Sequence, residues 1–171
     1  GRVTAVVLDK TGTLTKGEPA VTDILADGDV EEDKILHIAA SLEKVSEHPI
    51  AKAVLAKAAS LGRHSSHPLD TAVKKEAEKS GAELYQLQNF LAHPGNGIEG
   101  IVQIDGAEQK IFLGNRSLLE EKSIAIPQKL ETKAAAIESE GKTLLFLADP
   151  EKILGVIAVA DTIKENAERA V

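Results

Sequence analysis

Hydrophobic residues follow a helical spacing in some segments of the chain and a strand-like spacing in others. Between Glu31 and Lys44 apolar residues recur at helical spacing and acidic residues occupy the first turn, which predicts a helix. A second helix is predicted over Pro49–Leu61, where Gly62 stops it. Further helices are predicted over 68–80, 115–122 and 127–140.

Strand patterns occupy much of the remaining chain. Val3–Leu8 is a nearly continuous apolar run, which predicts a buried strand of a parallel sheet. Asp105 and Gly106 predict a hairpin turn. Strands joined by hairpins and flanked by helices indicate an α+β fold with an antiparallel sheet. The strands of this sheet are predicted over 20–26, 84–91, 98–105, 110–113, 143–148 and 153–160, after a hinge at 16–19.

Composition and charge exclude several kinds of partner. The 171 residues carry a formal net charge of −7, which argues against general affinity for nucleic acid or anionic lipid. Cysteine is absent, so a thiolate nucleophile and Cys-ligated metals are excluded. No apolar run reaches membrane-spanning length, and we expect no direct membrane contact. Because the chain starts without methionine, two residues before a strand, we expect a piece of a larger protein.

A polar loop follows the first predicted strand. Asp9 sits where that strand ends, and the carboxyl edge of a parallel sheet is where open α/β folds place their ligands. An aspartate there can attack a phosphoryl group if cations and donors offset the phosphate charge. Lys10, the hydroxyl of Thr11 and the backbone beside Gly12 are suited to that task. The plainer alternative is an Asp-initiated turn into a Thr-rich edge strand.

Residues 9–15 read DKTGTLT, which resembles the phosphorylation signature of the P-type ATPases without a mismatch. The resemblance implies that Asp9 accepts the γ-phosphoryl group of Mg-ATP, with Lys10 and Thr11 as further catalytic residues. It also implies a Mg²⁺ site that includes Asp9 and Thr11. This site is incomplete, because the TGD and GDGxND segments of that family do not occur here.

Three shorter motifs resemble the heavy-metal-transporting branch of the same family, most closely the copper-exporting type. They are Ser46-Glu47-His48-Pro49, Gly95-Asn96-Gly97 and Gly114-Asn115-Arg116. The resemblance implies a nucleotide-binding domain in which His48 contacts adenine and Glu43 accepts from its amino group. Glycines lack a Cβ, so Gly95 and Gly97 would let the backbone pass close to ribose and phosphates. Ile98 would lend an apolar contact to the base.

Some of these residues also have structural interpretations. The glycines at 95 and 97 suit a bulge at the edge of a hairpin. Asn115 suits a helix N-cap as well as a nucleotide contact. Gly95, Gly97 and Gly100 satisfy GxGxxG, but a strand follows them where a dinucleotide fingerprint requires a helix. Gly141-Lys142-Thr143 lacks the earlier glycine of a Walker A loop and is interpreted as the end of a helix.

Together these resemblances imply an ATP-binding piece of a heavy-metal-exporting P-type ATPase, most like the copper-exporting type, on the cytoplasmic face of a membrane. Residues 1–18 and 158–171 would belong to an α/β phosphorylation domain, and 19–157 would form the nucleotide-binding domain. Its partners would be ATP and the phosphorylation, actuator and transmembrane domains of the same pump. The alternatives are a haloacid dehalogenase-like phosphatase and a noncatalytic nucleotide-binding module. A potassium or proton pump is disfavoured by the motif at 46–49.

Overall fold

The computed structural model describes residues 15–46, 48–61 and 84–163. They form one six-stranded sheet with four helices, and neighbouring strands pair antiparallel in the order β1-β6-β5-β4-β3-β2. The strands are β1 (Thr15–Ala26), β2 (Leu87–His93), β3 (Gly97–Ile104), β4 (Ala107–Gly114), β5 (Thr143–Ala148) and β6 (Ile153–Ile163). The helices are α1 (Glu32–Glu43), α2 (Pro49–Leu61), α3 (Arg116–Glu121) and α4 (Gln128–Ser139).

Each face of the sheet is covered by one pair of helices. Ile35 of α1 and Val54 of α2 belong to a buried cluster with Ile157 of β6. Leu118 of α3 and Leu130 of α4 belong to a second cluster with strand residues such as Phe146 and Val156. Because successive strand residues point to opposite faces, the alternation of apolar residues in β5 and β6 feeds both cores. The predicted α+β fold with an antiparallel sheet is therefore confirmed.

Several element bounds differ from the sequence-based prediction. The segment 16–19, interpreted as a hinge, lies within β1, where Gly17 adopts φ +74° and the pairing register shifts between Thr15 and Pro19. β2 spans Leu87–His93 instead of 84–91. β4 begins at Ala107 instead of Lys110, and the earlier start was not predicted because its first four residues are exposed and three of them are polar. β6 continues to Ile163, three residues beyond the predicted end.

The first and last strands along the described chain, β1 and β6, are neighbours in the sheet. β1 and β6 pair from Thr15 opposite Ile163 to Ala26 opposite Gly155. The hydroxyl of Thr15, the last residue of the DKTGTLT motif, donates a hydrogen bond to the carboxylate of Asp161. The domain limits predicted at residues 18 and 157 fall inside this strand pair, and they stay a prediction.

Two predicted turns have the expected chemistry. Asp105 and Gly106 alone connect β3 to β4, and both have positive φ, at +52° and +81°. That is the backbone of a tight two-residue hairpin, for which Asp-Gly is favoured. At the end of α4, Gly141 adopts φ +80° and its N–H donates to the carbonyl of Glu138. Gly141 is therefore a helix-ending glycine, as interpreted from the sequence.

Other predicted elements lie outside the described residues. They are the strand Val3–Leu8, the catalytic residues Asp9, Lys10 and Thr11, and the helix over 68–80. Among the helices that the structure describes, none is long and apolar enough to cross a membrane.

Candidate functional site

A cavity of about 340 Å³ opens between the end of α1, the β2–β3 turn, the start of α3 and the start of β5. This volume lies within the range of ordinary small-molecule sites. All six residues predicted to bind nucleotide line it, although they are spread over more than seventy positions of the chain. They are Glu43, His48, Gly95, Gly97, Ile98 and Asn115.

Glu43 places a buried carboxylate at the cavity. It is the last residue of α1 and only 6% exposed, because α1 packs this end against the core. Its Oε2 atom has no hydrogen-bond partner among the residues that the structure describes. Burial raises the pKa of this carboxyl, and a hydrogen bond with Ser46 offsets part of the rise. A buried acceptor without a partner suits a ligand that donates a hydrogen bond.

His48 stands at the exposed mouth of the cavity, just before α2. Its Nδ1 accepts a hydrogen bond from the backbone N–H of Ile50 at 3.2 Å, and the backbone N–H of His48 donates to the Ser46 hydroxyl at 3.3 Å. With Nδ1 acting as an acceptor, the neutral ring carries its proton on Nε2. The ring is therefore oriented by the first turn of α2, which leaves Nε2 as its donor.

The two predicted glycines serve different purposes. Gly95 adopts φ +79°, and a Cβ built on it would meet no atom within 4 Å. Its lack of a side chain therefore leaves open space beside the cavity. Gly97 adopts φ +147°, and its Cβ would lie 2.3 Å from the carbonyl oxygen of Leu113. Gly97 is thus required for the close approach of β3 to β4, in addition to any role towards a ligand.

Asn115 joins the start of α3 to the β2–β3 turn. Its Oδ1 accepts from the N–H of Leu118 at 3.2 Å, which is an N-cap. Its Nδ2 donates to the carbonyl of Gly95 at 2.9 Å, and its backbone N–H donates to the carbonyl of Asn96 at 2.8 Å. The N-cap interpretation is confirmed. Asn115 also lines the cavity, so capping does not exclude contact with a ligand.

Several lining residues were not singled out from the sequence. His93 belongs to none of the motifs, yet it lines the same cavity as His48. The pairing of β2 with β3 could have indicated this position, because it places His93 directly opposite Gly97. Leu113 also lines the cavity, and it pairs with Ile98 across β3 and β4. The other lining residues are Ser46, Ile50, Asn96, Thr143, Leu144 and Leu145.

The metal expectation concerns a different part of the chain. Asp9 and Thr11, the expected Mg²⁺ ligands, lie outside the described residues. Within residues 15–46, 48–61 and 84–163, no three His, Asp or Glu side chains form a group that could hold a metal ion. The expected Mg²⁺ site at Asp9 and Thr11 therefore stays a prediction from the sequence.

A model of the haloacid dehalogenase-like hydrolases matches residues 3–171. The chain belongs to the haloacid dehalogenase-like hydrolase family. This assignment by itself covers both of the enzyme classes considered from the sequence, the phosphatase and the P-type ATPase. Membership of this hydrolase family therefore leaves the choice between them to closer relatives.

Those relatives are P-type ATPases, which confirms the resemblance seen in the motifs. The chain is 37% identical over 167 residues to the "Probable copper-importing P-type ATPase A" of Enterococcus hirae. It is 38% identical over 171 residues to the "Probable copper-exporting P-type ATPase" of Archaeoglobus fulgidus. These alignments cover 98% and 99% of this chain but 19% and 18% of the relatives. The haloacid dehalogenase-like chain thus spans about a fifth of their length.

Solved structures agree with the fold. A zinc-transporting PIB-type ATPase in the E2.Pi state matches with a TM-score of 0.68 and 25% identity, over 95% of this chain and 22% of that one. The N-domain of HMA8, a copper-transporting P-type ATPase, matches with a TM-score of 0.55 and 24% identity. The second match covers 82% of this chain and 99% of the N-domain. The sheet and helices of this family member are therefore those of such an N-domain.

Proposed function

We propose that this chain is the ATP-binding part of a heavy-metal-transporting P-type ATPase and that it binds the nucleotide in the cavity beside Glu43. One observation carries the proposal. Six residues selected through the resemblance, from three stretches of sequence that lie far apart along the chain, line one cavity of suitable volume. A chance set of motif matches gives no reason for such convergence.

The chemistry of the cavity suits adenine. The unpartnered Oε2 of Glu43 is an acceptor for the exocyclic amino group of the base. Ile98, Leu113 and Leu145 supply an apolar lining for its rings. His48 offers a flat ring at the mouth, with Nε2 as a donor. The open space beside Gly95 would admit the ribose and the first phosphate.

The phosphoryl chemistry would take place at the Asp9 loop. In this proposal the carboxylate of Asp9 attacks the γ-phosphorus, an acyl-phosphate bond forms, and ADP leaves. Lys10 offsets the charge of the transferred group, and Thr11 donates to its oxygens. Mg²⁺, held in part by Asp9 and Thr11, would neutralise phosphate charge. These roles rest on the DKTGTLT motif.

The pump context follows from the relatives. The phosphorylation, actuator and transmembrane domains of the same pump would be the partners of this chain, which would lie on the cytoplasmic face of the membrane. Copper is the proposed cargo because both named relatives carry copper in their names, one as an importer and one as an exporter. One of the matching solved structures is that of a zinc-transporting ATPase, so a pump with this fold can also have zinc as its cargo.

Calorimetric titration with ATP and with its non-hydrolysable analogue AMP-PCP tests the binding proposal. Wild type should bind both, and His48→Gln should weaken binding about tenfold, since one oriented contact is lost. Asp105→Asn is the control, because neither Asp105 nor its ion-pair partner Lys34 lines the cavity. Equal affinity of all three proteins, or no binding by wild type, would refute the proposal.

Incubation with γ-labelled ATP and Mg²⁺ separates the enzyme classes. We expect little phosphorylation or turnover from this chain alone, because the TGD and GDGxND segments are absent from its sequence. Rapid hydrolysis of small phosphate monoesters would instead support the phosphatase alternative. An acid-stable, hydroxylamine-labile label on Asp9 would show that this chain is catalytically more complete than proposed.

A further inference from the structure

One buried carboxylate, Glu99 of β3, contacts two lysine ammonium groups and the imidazole ring of His93, a residue that lines the cavity. Its side chain is 10% exposed. The ring of His93 and the ammonium of Lys122 both lie 3.0 Å from Oε2, and the ammonium of Lys110 lies 3.0 Å from Oε1. We call these residues, together with Glu121, the Glu99 network.

The Glu99 network closes into a ring. Nδ1 of His93 lies 3.5 Å from Oε1 of Glu121, and the same oxygen lies 3.1 Å from Nζ of Lys122. The contact between Nζ of Lys122 and Oε2 of Glu99 completes the ring. The ammonium groups of Lys110 and Lys122 also lie 5.3 and 5.6 Å from the centre of the Phe112 ring, a cation–π distance. Each member of the ring is therefore held from two sides.

The Glu99 network connects the elements that carry the cavity. His93 ends β2 and lines the cavity, and Glu99 lies two residues after Gly97 on β3. Lys110 belongs to β4. Glu121 and Lys122 end the short helix α3 that Asn115 caps. One cluster of charges thus links the two strands beside the glycine turn to the helix beyond it.

His93 is the point at which the Glu99 network reaches the ligand space. Both ring nitrogens lie against carboxylates, Nε2 against Glu99 and Nδ1 against Glu121, so the Glu99 network holds the ring of this cavity-lining residue from two sides. The carbonyl of His93 accepts from the N–H of Asn96 at 2.9 Å, which closes the turn containing Gly95. The orientation of this ring therefore fixes one end of the turn, while Asn115 fixes its middle.

We propose that Glu99 is a positioning residue for the nucleotide site: through His93 and α3 it holds the glycine turn and Asn115 in the geometry that receives the nucleotide. The inference rests on the function proposed above. It assigns to Glu99 no contact with the ligand. Preorganisation of this kind raises affinity because the bound nucleotide does not have to order the turn.

Binding of AMP-PCP to the full chain tests the inference, at a temperature where thermal melting shows each variant to be folded. Glu99→Gln and His93→Ala should each weaken binding about tenfold, which corresponds to about 1.4 kcal/mol. The double variant should lose no more than about twofold beyond either single variant, because both substitutions break one connection. His93→Gln keeps a donor for Glu99 and should bind within about twofold of wild type. Asp105→Asn, which breaks an exposed ion pair with Lys34, is the control that should not change affinity.

A purely stabilising role for Glu99 predicts a different result. The melting temperature would then fall while the affinity of the folded protein stayed unchanged, and that result overturns the inference with the proposed function intact. Failure of wild type to bind AMP-PCP overturns the proposed function itself. If Glu99→Gln does not fold, the comparison of His93→Ala with His93→Gln decides. Equal affinity of these two would contradict the inference, and rescue by glutamine would support it.

Discussion

The side-chain amide of Asn115 donates a hydrogen bond to the carbonyl of Gly95 at 2.9 Å, while its oxygen caps α3. One side chain therefore ties a helix N-terminus to a turn twenty residues earlier. The two contacts use different atoms of the amide, the nitrogen and the oxygen. Substitutions that keep only one of these atoms can separate the two roles.

Asn115→Asp should keep the cap and lose the donor. We expect its free energy of unfolding to fall by less than that of Asn115→Ala, because aspartate keeps the N-cap although the hydrogen bond to Gly95 is lost. Its affinity for ATP should fall about tenfold, since the turn loses a contact and gains a negative charge near the phosphates. Asn115→Ala should lose both affinity and about 1 kcal/mol of stability. Urea unfolding and calorimetry measure the two quantities, and normal ATP affinity in Asn115→Asp would contradict this account.

The two glycines should respond differently to alanine. Gly97→Ala places a Cβ 2.3 Å from a backbone oxygen, so we expect a loss of about 3 kcal/mol or more in unfolding free energy. Gly95→Ala meets open space and should cost only about 1 kcal/mol for its left-handed backbone. Gly95→Ala should nevertheless weaken ATP binding, because Gly95 lines the cavity and, in the proposal, the space beside it receives the ribose and the first phosphate. Urea denaturation of both variants tests the first contrast. A stable Gly97→Ala protein would show that β3 and β4 are not packed as described.

Glu43 should make the free energy of unfolding fall as pH rises above 4.5. Burial raises the pKa of Glu43 in the folded protein above its ordinary value of 4.5. As pH rises above 4.5, the carboxyl therefore ionises in the unfolded state before it ionises in the folded state, which favours unfolding. The contribution of Glu43 is therefore fully present below pH 4.5 and declines as pH rises towards the folded pKa. Glu43→Gln, measured by urea unfolding without nucleotide, should show a smaller decline from pH 4.5 upward than wild type. Identical pH profiles would contradict the burial of Glu43.

Glu99 should have the opposite dependence. Burial alone would raise its pKa, but hydrogen bonds from Lys122, Lys110 and His93 bring it down to about 2 from 4.5. Its contribution to stability is thus present above pH 4.5 and is lost as pH falls towards 2. Wild type should exceed Glu99→Gln in unfolding free energy by on the order of 2 kcal/mol at pH 6. This difference should disappear near pH 2, and a difference independent of pH would show that Glu99 is not the titrating group.

The sequence predicted local elements well where the apolar pattern was strong. Helix α2 and strand β5 have the predicted bounds, since both are marked by apolar runs and by Pro49 or Gly141 at an end. The start of β4 was missed because residues 107–110 are exposed and polar, and only pairing with β3 makes them a strand.

The site could be predicted only through motifs. Residue-by-residue resemblance selected Glu43 and His48, but nothing local indicated that Glu43 is buried without a partner. His93 and Glu99 were not selected, because their importance arises from contacts with Glu121 and Lys122 more than twenty residues away. Such charge clusters depend on strand register and helix placement, which a single sequence does not encode in any short pattern.

A titration of the isotope-labelled chain with AMP-PCP, followed through backbone amide NMR signals, tests the central claim most directly. We expect the largest shifts at Ser46 and His48, at 95–98 and at Asn115, because these residues line one cavity. Glu43→Gln should reduce those shifts at a given concentration of AMP-PCP. The contradicting result is a set of shifts centred on Gln109, Asp149 and Glu151, which line a separate depression. In that case the residues selected by the motifs would not form the nucleotide site.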